Sequence, residues 1–266
     1  MTPNHADPDP GAHTIEGMRR RALLLGAAAL PAAACSGPGS LPIPDVGGLG
    51  GCRTPDSLAS FSTLAGAPLS YEITRTPQAF RADPRFIERL EEWAAEWVSV
   101  SGLGPLREVS TYGAFVDRCE SWHAAGRAFD FAELVHDGGR VSCRYDLWGE
   151  DPAELPGYWR LAASVASRFT YTLTYRYNAQ HHNHIHIDNG INGYEAASFR
   201  EGSRTQVELV QGVLRHVFGR DVGASGRYDE QTRSAVRAVQ RELGISVPLA
   251  TADGWREFLT AAAGQR

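Results

Sequence analysis

The chain has 266 residues, 42% hydrophobic and 21% charged, enough to bury an ordinary globular core and too apolar for disorder throughout. Its formal net charge of -5 leaves no chain-wide basic footprint, so nucleic acid is not an expected partner. None of the 26 basic residues is Lys, which excludes a Lys nucleophile, a Schiff base and a P-loop.

Residues 1–35 read as an export signal. A polar stretch ends at residue 17, and Arg19-Arg20-Arg21 then precede an apolar run from Ala22 to Ala34. A helix over that run would be roughly 20 Å long, too short to span a bilayer. Basic, apolar and small residues in that order describe a secretory signal. Arg20-Arg21-Ala22-Leu23-Leu24 resembles the twin-arginine pattern. Cys35 after Ala32-Ala33-Ala34 resembles a lipoprotein box in which Ala32 replaces the usual Leu. Lipidation of Cys35, which would anchor the chain to a membrane, and ordinary cleavage at the same site are both open. The expected location is the cell envelope. Residues 36–52, rich in Gly, Pro and Ser, form a flexible linker.

Outside the cytoplasm, Cys52, Cys119 and Cys143 can oxidise, and three cysteines leave one odd. The pair Cys119–Cys143 flanks the segment that carries His123 and Asp130 and is favoured; Cys52–Cys119 is the rival.

From 53 to 195 the pattern is mixed. Asp83-Pro84 opens a helix over 83–100, with Phe86, Leu90, Trp93, Ala94, Trp97 and Val98 at helical spacing. A second helix covers 157–169. Strand-like runs lie at 105–113, 128–135, 140–148, 170–177 and 184–188, and His136-Asp137-Gly138-Gly139 is a hairpin turn. Strands and helices do not alternate regularly, which predicts an α+β fold with a mostly antiparallel sheet and flanking helices. Residues 196–204 read as a second linker. From 205 to 264 three apolar stripes predict a small three-helix bundle that folds separately: Val207 to Phe218, Thr232 to Leu243, and Trp255 to Leu259. A monomer is expected.

Four of the nine His residues fall between 181 and 186. His184, His186 and Asp188 alternate with Ile185 and Ile187, so a strand puts the polar three on one face and the apolar two in the core. Upstream, His123 and Asp130 are seven apart. On one helix they would sit about 10 Å apart, yet donors to one zinc ion must each lie about 2.0–2.2 Å from it. The chain must therefore bend between them, and Gly126 offers the bend. With Asp130 on a strand, Phe129 and Phe131 face the other way. His, His and Asp suit Zn²⁺, and three protein ligands leave a fourth position open, as in catalytic zinc sites.

The motif SxHxxGxAxD at 121–130, followed by HxxHxH at 181–186, resembles the zinc D,D-peptidase superfamily of D-alanyl-D-alanine carboxypeptidases and murein endopeptidases. Within it, Tyr177-Asn178-Ala179-Gln180-His181 through His184, His186 and Asp188 is similar to the tail of the extensin-like C-terminal domain branch. That resemblance implies zinc held by His123, Asp130 and His186, with His184 as the catalytic base. Arg118 resembles the Arg that grips a substrate carboxylate in related enzymes. His181 is a candidate to hydrogen-bond the transition state, and Ser121 to orient His123 or its turn. That branch has Glu just before the first His; here the residue is Trp122. His136, His182 and His216 are expected at solvent. The run from Val210-Gln211 through Gly226-Arg227-Tyr228-Asp229, Thr232 and Val239-Gln240 to Gly244 resembles the peptidoglycan-binding domain of wall hydrolases. Together these readings imply an exported zinc metallopeptidase acting on peptidoglycan. The alternatives are a non-catalytic zinc-containing wall-binding protein and hydrolysis of some other amide.

Overall fold

The computed structural model describes residues 52–119, 121–190 and 193–266. The export signal, the lipoprotein box at Cys35 and all of the first linker but Cys52 lie outside these residues. Among the described residues, no helix is long and apolar enough to cross a membrane.

Five short strands open the fold: β1 (Ala59–Phe61), β2 (Thr63–Leu64), β3 (Ala67–Tyr71), β4 (Thr76–Pro77) and β5 (Phe80–Ala82). Helix α1 (Pro84–Ser101) follows, then β6 (Leu106–Gly113), β7 (Ala128–His136) and β8 (Gly139–Ser142). Next come the single helical turn α2 (Tyr145–Trp148), α3 (Leu155–Ala166), β9 (Tyr171–Leu173) and β10 (Ile185–Asp188). Three helices end the order: α4 (Arg204–His216), α5 (Glu230–Glu242) and α6 (Ala252–Ala263). The main sheet runs β2-β3-β6-β7-β10-β9, with β4 on β3 and β8 on β7, while β1 and β5 form a separate pair. Only β3 and β6 pair in parallel among these strands. The fold is therefore α+β and mostly antiparallel, as expected. The strand expected over 140–148 stops at Ser142 and gives way to α2, and that over 170–177 shortens to Tyr171–Leu173.

Local chemistry accounts for α1. The Asp83 carboxylate accepts the Arg85 N–H at its start, Pro84 occupies the first turn, and Gly102 ends it at φ 71°. Its buried stripe covers one side of the sheet. The Trp93 ring lies 4.8 Å from that of Phe131 on β7, and Trp93 Nε1 donates to Ser164 Oγ of α3 at 2.9 Å. Strand alternation then turns Asp130 to the opposite side, and His186 sits directly across from it on β10.

The helices over 205–264 are present, but they do not make a module apart. The described residues belong to one compact unit. The α4 backbone at Gly212 approaches the Trp159 ring of α3 so closely that an added Cβ would collide with it. The His216 ring stacks on the other end of the same contact, 5.9 Å from Trp159. Trp255 of α6 donates to the Ala166 carbonyl at 3.3 Å, and Arg160 of α3 donates to the Ala263 carbonyl at 3.0 Å. The segment 196–204 buries Ala197 and Phe199 in the shared core and is not a loose linker. Gln211 and Asp229, read as part of a wall-binding pattern, tie this region together internally. Gln211 Nε2 donates to the Arg227 carbonyl and Thr232 Oγ1, both at 3.1 Å, and Asp229 caps α5. Gly212→Ala should destabilise the protein by roughly 1–3 kcal/mol in denaturant melts despite the better helix propensity of Ala, because overpacking outweighs it. An unchanged midpoint would show that Trp159 can move aside.

The histidines expected at solvent are all at least partly buried. His136 is 4% exposed; its Nε2 accepts from Trp97 Nε1 at 3.0 Å and its Nδ1–H donates to the Gly104 carbonyl at 2.9 Å. His216 is half-buried beside Trp159, and burial, reinforced by Arg176 and Arg215, pushes its pKa down to about 4. His182 is partly covered by Tyr145, with ring centres 5.2 Å apart. The disulfide is Cys52–Cys119, not Cys119–Cys143. Cys143 follows β8 into the core as a buried free thiol, out of reach of the exposed Cys119.

Candidate metal centre

The site forms where the β6–β7 loop meets β7 and β10. Gly126 bends the loop at φ 67°, and a Cβ there would stand 2.6 Å from Leu58 Cδ2 and 2.8 Å from the Asp83 nitrogen. Hydrogen bonds from Asp83 N–H to the Gly126 carbonyl and from Arg53 N–H to the Ala124 carbonyl pin the bend at 2.8 and 2.9 Å. The disulfide from Cys52 holds the same loop four residues before His123. Ser121 Oγ accepts the His123 N–H at 3.2 Å, so this serine orders the turn.

Each ring nitrogen can be assigned from its partner, because carbonyls and carboxylates only accept. His123 Nδ1–H donates to the Ala114 carbonyl, which leaves the lone pair on Nε2. His186 meets carboxylates at both nitrogens, Nε2 at Asp188 Oδ2 and Nδ1 at Asp130 Oδ1, so its Nδ1 proton is the one a bound cation would displace. The two histidine nitrogens and the Asp130 carboxylate converge. His186 Nδ1 lies 2.8 Å from Asp130 Oδ1 and 3.2 Å from His123 Nε2, and His123 Nε2 lies 3.3 Å from Asp130 Oδ2. Among the described residues these three form a group able to hold a metal ion, with ligand atoms all within 4.8 Å of one another. Ligands about 2.0–2.2 Å from a tetrahedral ion stand roughly 3.3–3.6 Å apart, so the trio fits a small cation after slight expansion.

The electrostatics agree. Burial opposes a charged His186, yet Asp130 and Asp188 outweigh it and raise this ring to about 10. Burial likewise opposes a charged Asp130, but the neighbouring His123 and His184 hold it well below the usual carboxylate range. A site that retains a proton so strongly is built for positive charge, and a cation can take the proton's place.

His184 stands beside the trio, its Nε2 3.6 Å from Asp130 Oδ1, and burial keeps it below its ordinary pKa. His181 is 2% exposed, its ring 5.0 Å from that of His184; its Nδ1–H donates to Asn178 Oδ1 at 2.7 Å. Burial and the adjacent His186 and His184 push it down to about 3, so it is neutral. Arg118 stays on the exposed part of the loop. Trp122 lies flat over Gly190, where any side chain would strike its indole, and the Arg127 guanidinium sits 5.5 Å from the same ring.

Residues 51–197, more than half the chain, match the family described as Extensin-like protein C-terminus. The chain belongs to that family. No curated protein and no solved structure gives a significant match. The family region holds every member of the metal trio and both histidines beside it, whereas α4 to α6 lie beyond it.

Asp188 is the partner that motif reading left without a role. Alternation from His184 already put it on the right face; what the spacing could not show is that Asp188 Oδ1 accepts the Gly190 N–H at 2.8 Å, which holds its carboxylate against the ring of His186. Carboxylates behind metal-bound imidazoles typically carry about 10–100-fold in metal affinity. Asp188→Asn should weaken zinc binding by that factor in chelator competition while the thermal transition stays cooperative. An unchanged affinity would deny Asp188 this supporting role.

Proposed function

We propose that the chain is an exported zinc metallopeptidase that hydrolyses an amide bond in peptidoglycan stem peptides or cross-links. The observation that carries this reading is the convergence of His123 Nε2, the Asp130 carboxylate and His186 Nδ1, with a third imidazole, His184, beside them to move a proton. The order of these residues along the chain resembles the zinc D,D-peptidases, and the extensin-like family membership supports the branch.

His123, Asp130 and His186 would hold the ion; borderline imidazole ligands and one carboxylate suit zinc. Zinc bound there supplies Lewis acidity toward a carbonyl and toward water. The chain's own residues do the rest. His184 Nε2 takes a proton from the attacking water and gives it to the nitrogen released when the C–N bond breaks. His181, neutral and buried with its Nδ1–H on Asn178, can accept a hydrogen bond at Nε2 near the reacting centre. Arg118, on the loop that leads into His123, is assigned to a substrate carboxylate; its exposure supports this. The pattern from Gln211 to Gly244 supports affinity of the α4–α6 region for the wall, and the segment before residue 35 supports export.

Incubating the protein with muropeptides, with chelator and with zinc restored, and reading the products by mass spectrometry tests the proposal. New amide cleavage that disappears with chelator and returns with zinc is expected. Cleavage that persists without metal, or intact muropeptides at full zinc loading, would reject it.

A further inference from the structure

Three of the site histidines, His123, His181 and His184, meet an oxygen acceptor at Nδ1, whereas His186 meets carboxylates at both nitrogens. The partner of His184 is Asn183 Oδ1 at 2.6 Å. Its other nitrogen, Nε2, faces Asp130 Oδ1 at 3.6 Å.

We propose that Asn183 is the positioning residue that fixes His184 with its proton on Nδ1 and its lone pair on Nε2, toward the metal trio. The inference rests on the hydrolytic reading above for its purpose, but not for its geometry. An imidazole is base at one nitrogen only, so the wrong tautomer would present an N–H to the reacting water and could accept nothing. An amide oxygen only accepts and an amide nitrogen only donates. With Oδ1 on His184, the Asn183 side chain also meets the hydroxyl of Tyr112. Tyr112 is well placed to hold it. It precedes Gly113, which pairs with Asp130 across β6 and β7, and its ring lies 5.8 Å from that of His184. The anchor thus stands on β6, and the amide and the base on the turn before β10, where the two elements meet at the trio. When Nε2 takes up a proton, Nδ1–H remains on Asn183 Oδ1, so the imidazolium keeps its acceptor and the ring does not have to turn before it releases the proton to the leaving nitrogen.

Asn183 is outside the motif that identifies the site, because the residue between His182 and His184 is unspecified there. Nothing in the spacing of the His residues calls for an amide; the contact does.

The test uses the full chain with isotope-labelled histidine, in which long-range proton–nitrogen NMR reports the tautomer of each ring, and His184→Gln assigns the signal. Three proteins are compared: wild type, Asn183→Asp, which keeps an acceptor, and Asn183→Leu, which removes it. The wild type and Asn183→Asp should show His184 protonated on Nδ1, and Asn183→Leu should lose that single state. With a substrate from the muropeptide experiment, Asn183→Leu should lower kcat about 10–100-fold, the usual scale for a group behind a functional imidazole. KM and zinc content should stay unchanged, and Asn183→Asp should recover most of the loss. Tyr112→Phe should give a smaller loss of kcat with the same pattern. A wild-type His184 protonated on Nε2, or an Asn183→Leu protein that keeps the wild-type tautomer, overturns the proposal. If the wild type cleaves nothing, the hydrolytic reading fails, and the NMR comparison alone still decides whether Asn183 sets the ring.

Discussion

His186→Ala should abolish zinc binding and turnover together, whereas His184→Ala should keep zinc and lose turnover by about a hundredfold or more. The first change takes away Nδ1, one of three ligands, and leaves Asp130 and Asp188 facing each other's charge without the ring between them. The second leaves His123, Asp130 and His186 intact and removes only the nitrogen 3.6 Å from Asp130. General acid–base catalysis is typically worth about 10²–10⁴ in rate, which sets the size of the loss. Zinc content and turnover measured on the same preparations separate the roles. Loss of zinc in His184→Ala with retention in His186→Ala would exchange the two assignments. Full activity in both would move the site elsewhere.

A chain ending at Ser203 should fail to fold. It would lose Val207, Val210, Val213, Leu214, Phe258 and Leu259, all fully buried, and strip the cover from Trp159 on α3. Large apolar side chains contribute about 1.5–3 kcal/mol each on full burial, against a whole-protein stability of about 5–15 kcal/mol. The loss exceeds what the remaining sheet can supply. Gel filtration and a thermal scan by circular dichroism should show an expanded or aggregated species without a cooperative transition. A sharp melt of that fragment would restore the separate module that the three apolar stripes implied.

Much of the site was legible because its signals are local. The alternation of His184 to Asp188 fixed which residues enter the core, and Ile185 and Ile187 are indeed fully buried. The need for a bend between His123 and Asp130 pointed to Gly126, whose φ is 67°. Expectations failed where the deciding partner is remote. The periodicity of α4 and α6 says that one face is buried but not against what, and the answer is α3 as much as each other. His136 looked solvent-bound because Trp97, 39 residues away, gives no sign in the sequence that it will donate to that ring. The disulfide partner depended on bringing Cys52 and Cys119 together across 67 residues. The five strands between 59 and 82 are two to five residues long, and Pro68 and Pro77 interrupt them, too little for a period of two to register.

The close seat of α6 on α3 also sets an order of events during synthesis. Ala166 receives its hydrogen bond from Trp255, and Arg160 reaches Ala263, so the outer side of α3 has no cover until the ribosome has added roughly a hundred further residues. At about 5–20 residues per second that interval is on the order of 5–20 s. Trp159 is an open apolar surface until α4 arrives, and the side of α3 at Ala166 stays open until α6 follows. The sheet and its ligand loop can be drafted earlier, but the protein becomes aggregation-resistant only when its last helix docks. Folding is therefore timed by the arrival of α6 rather than by the segment that carries the histidines.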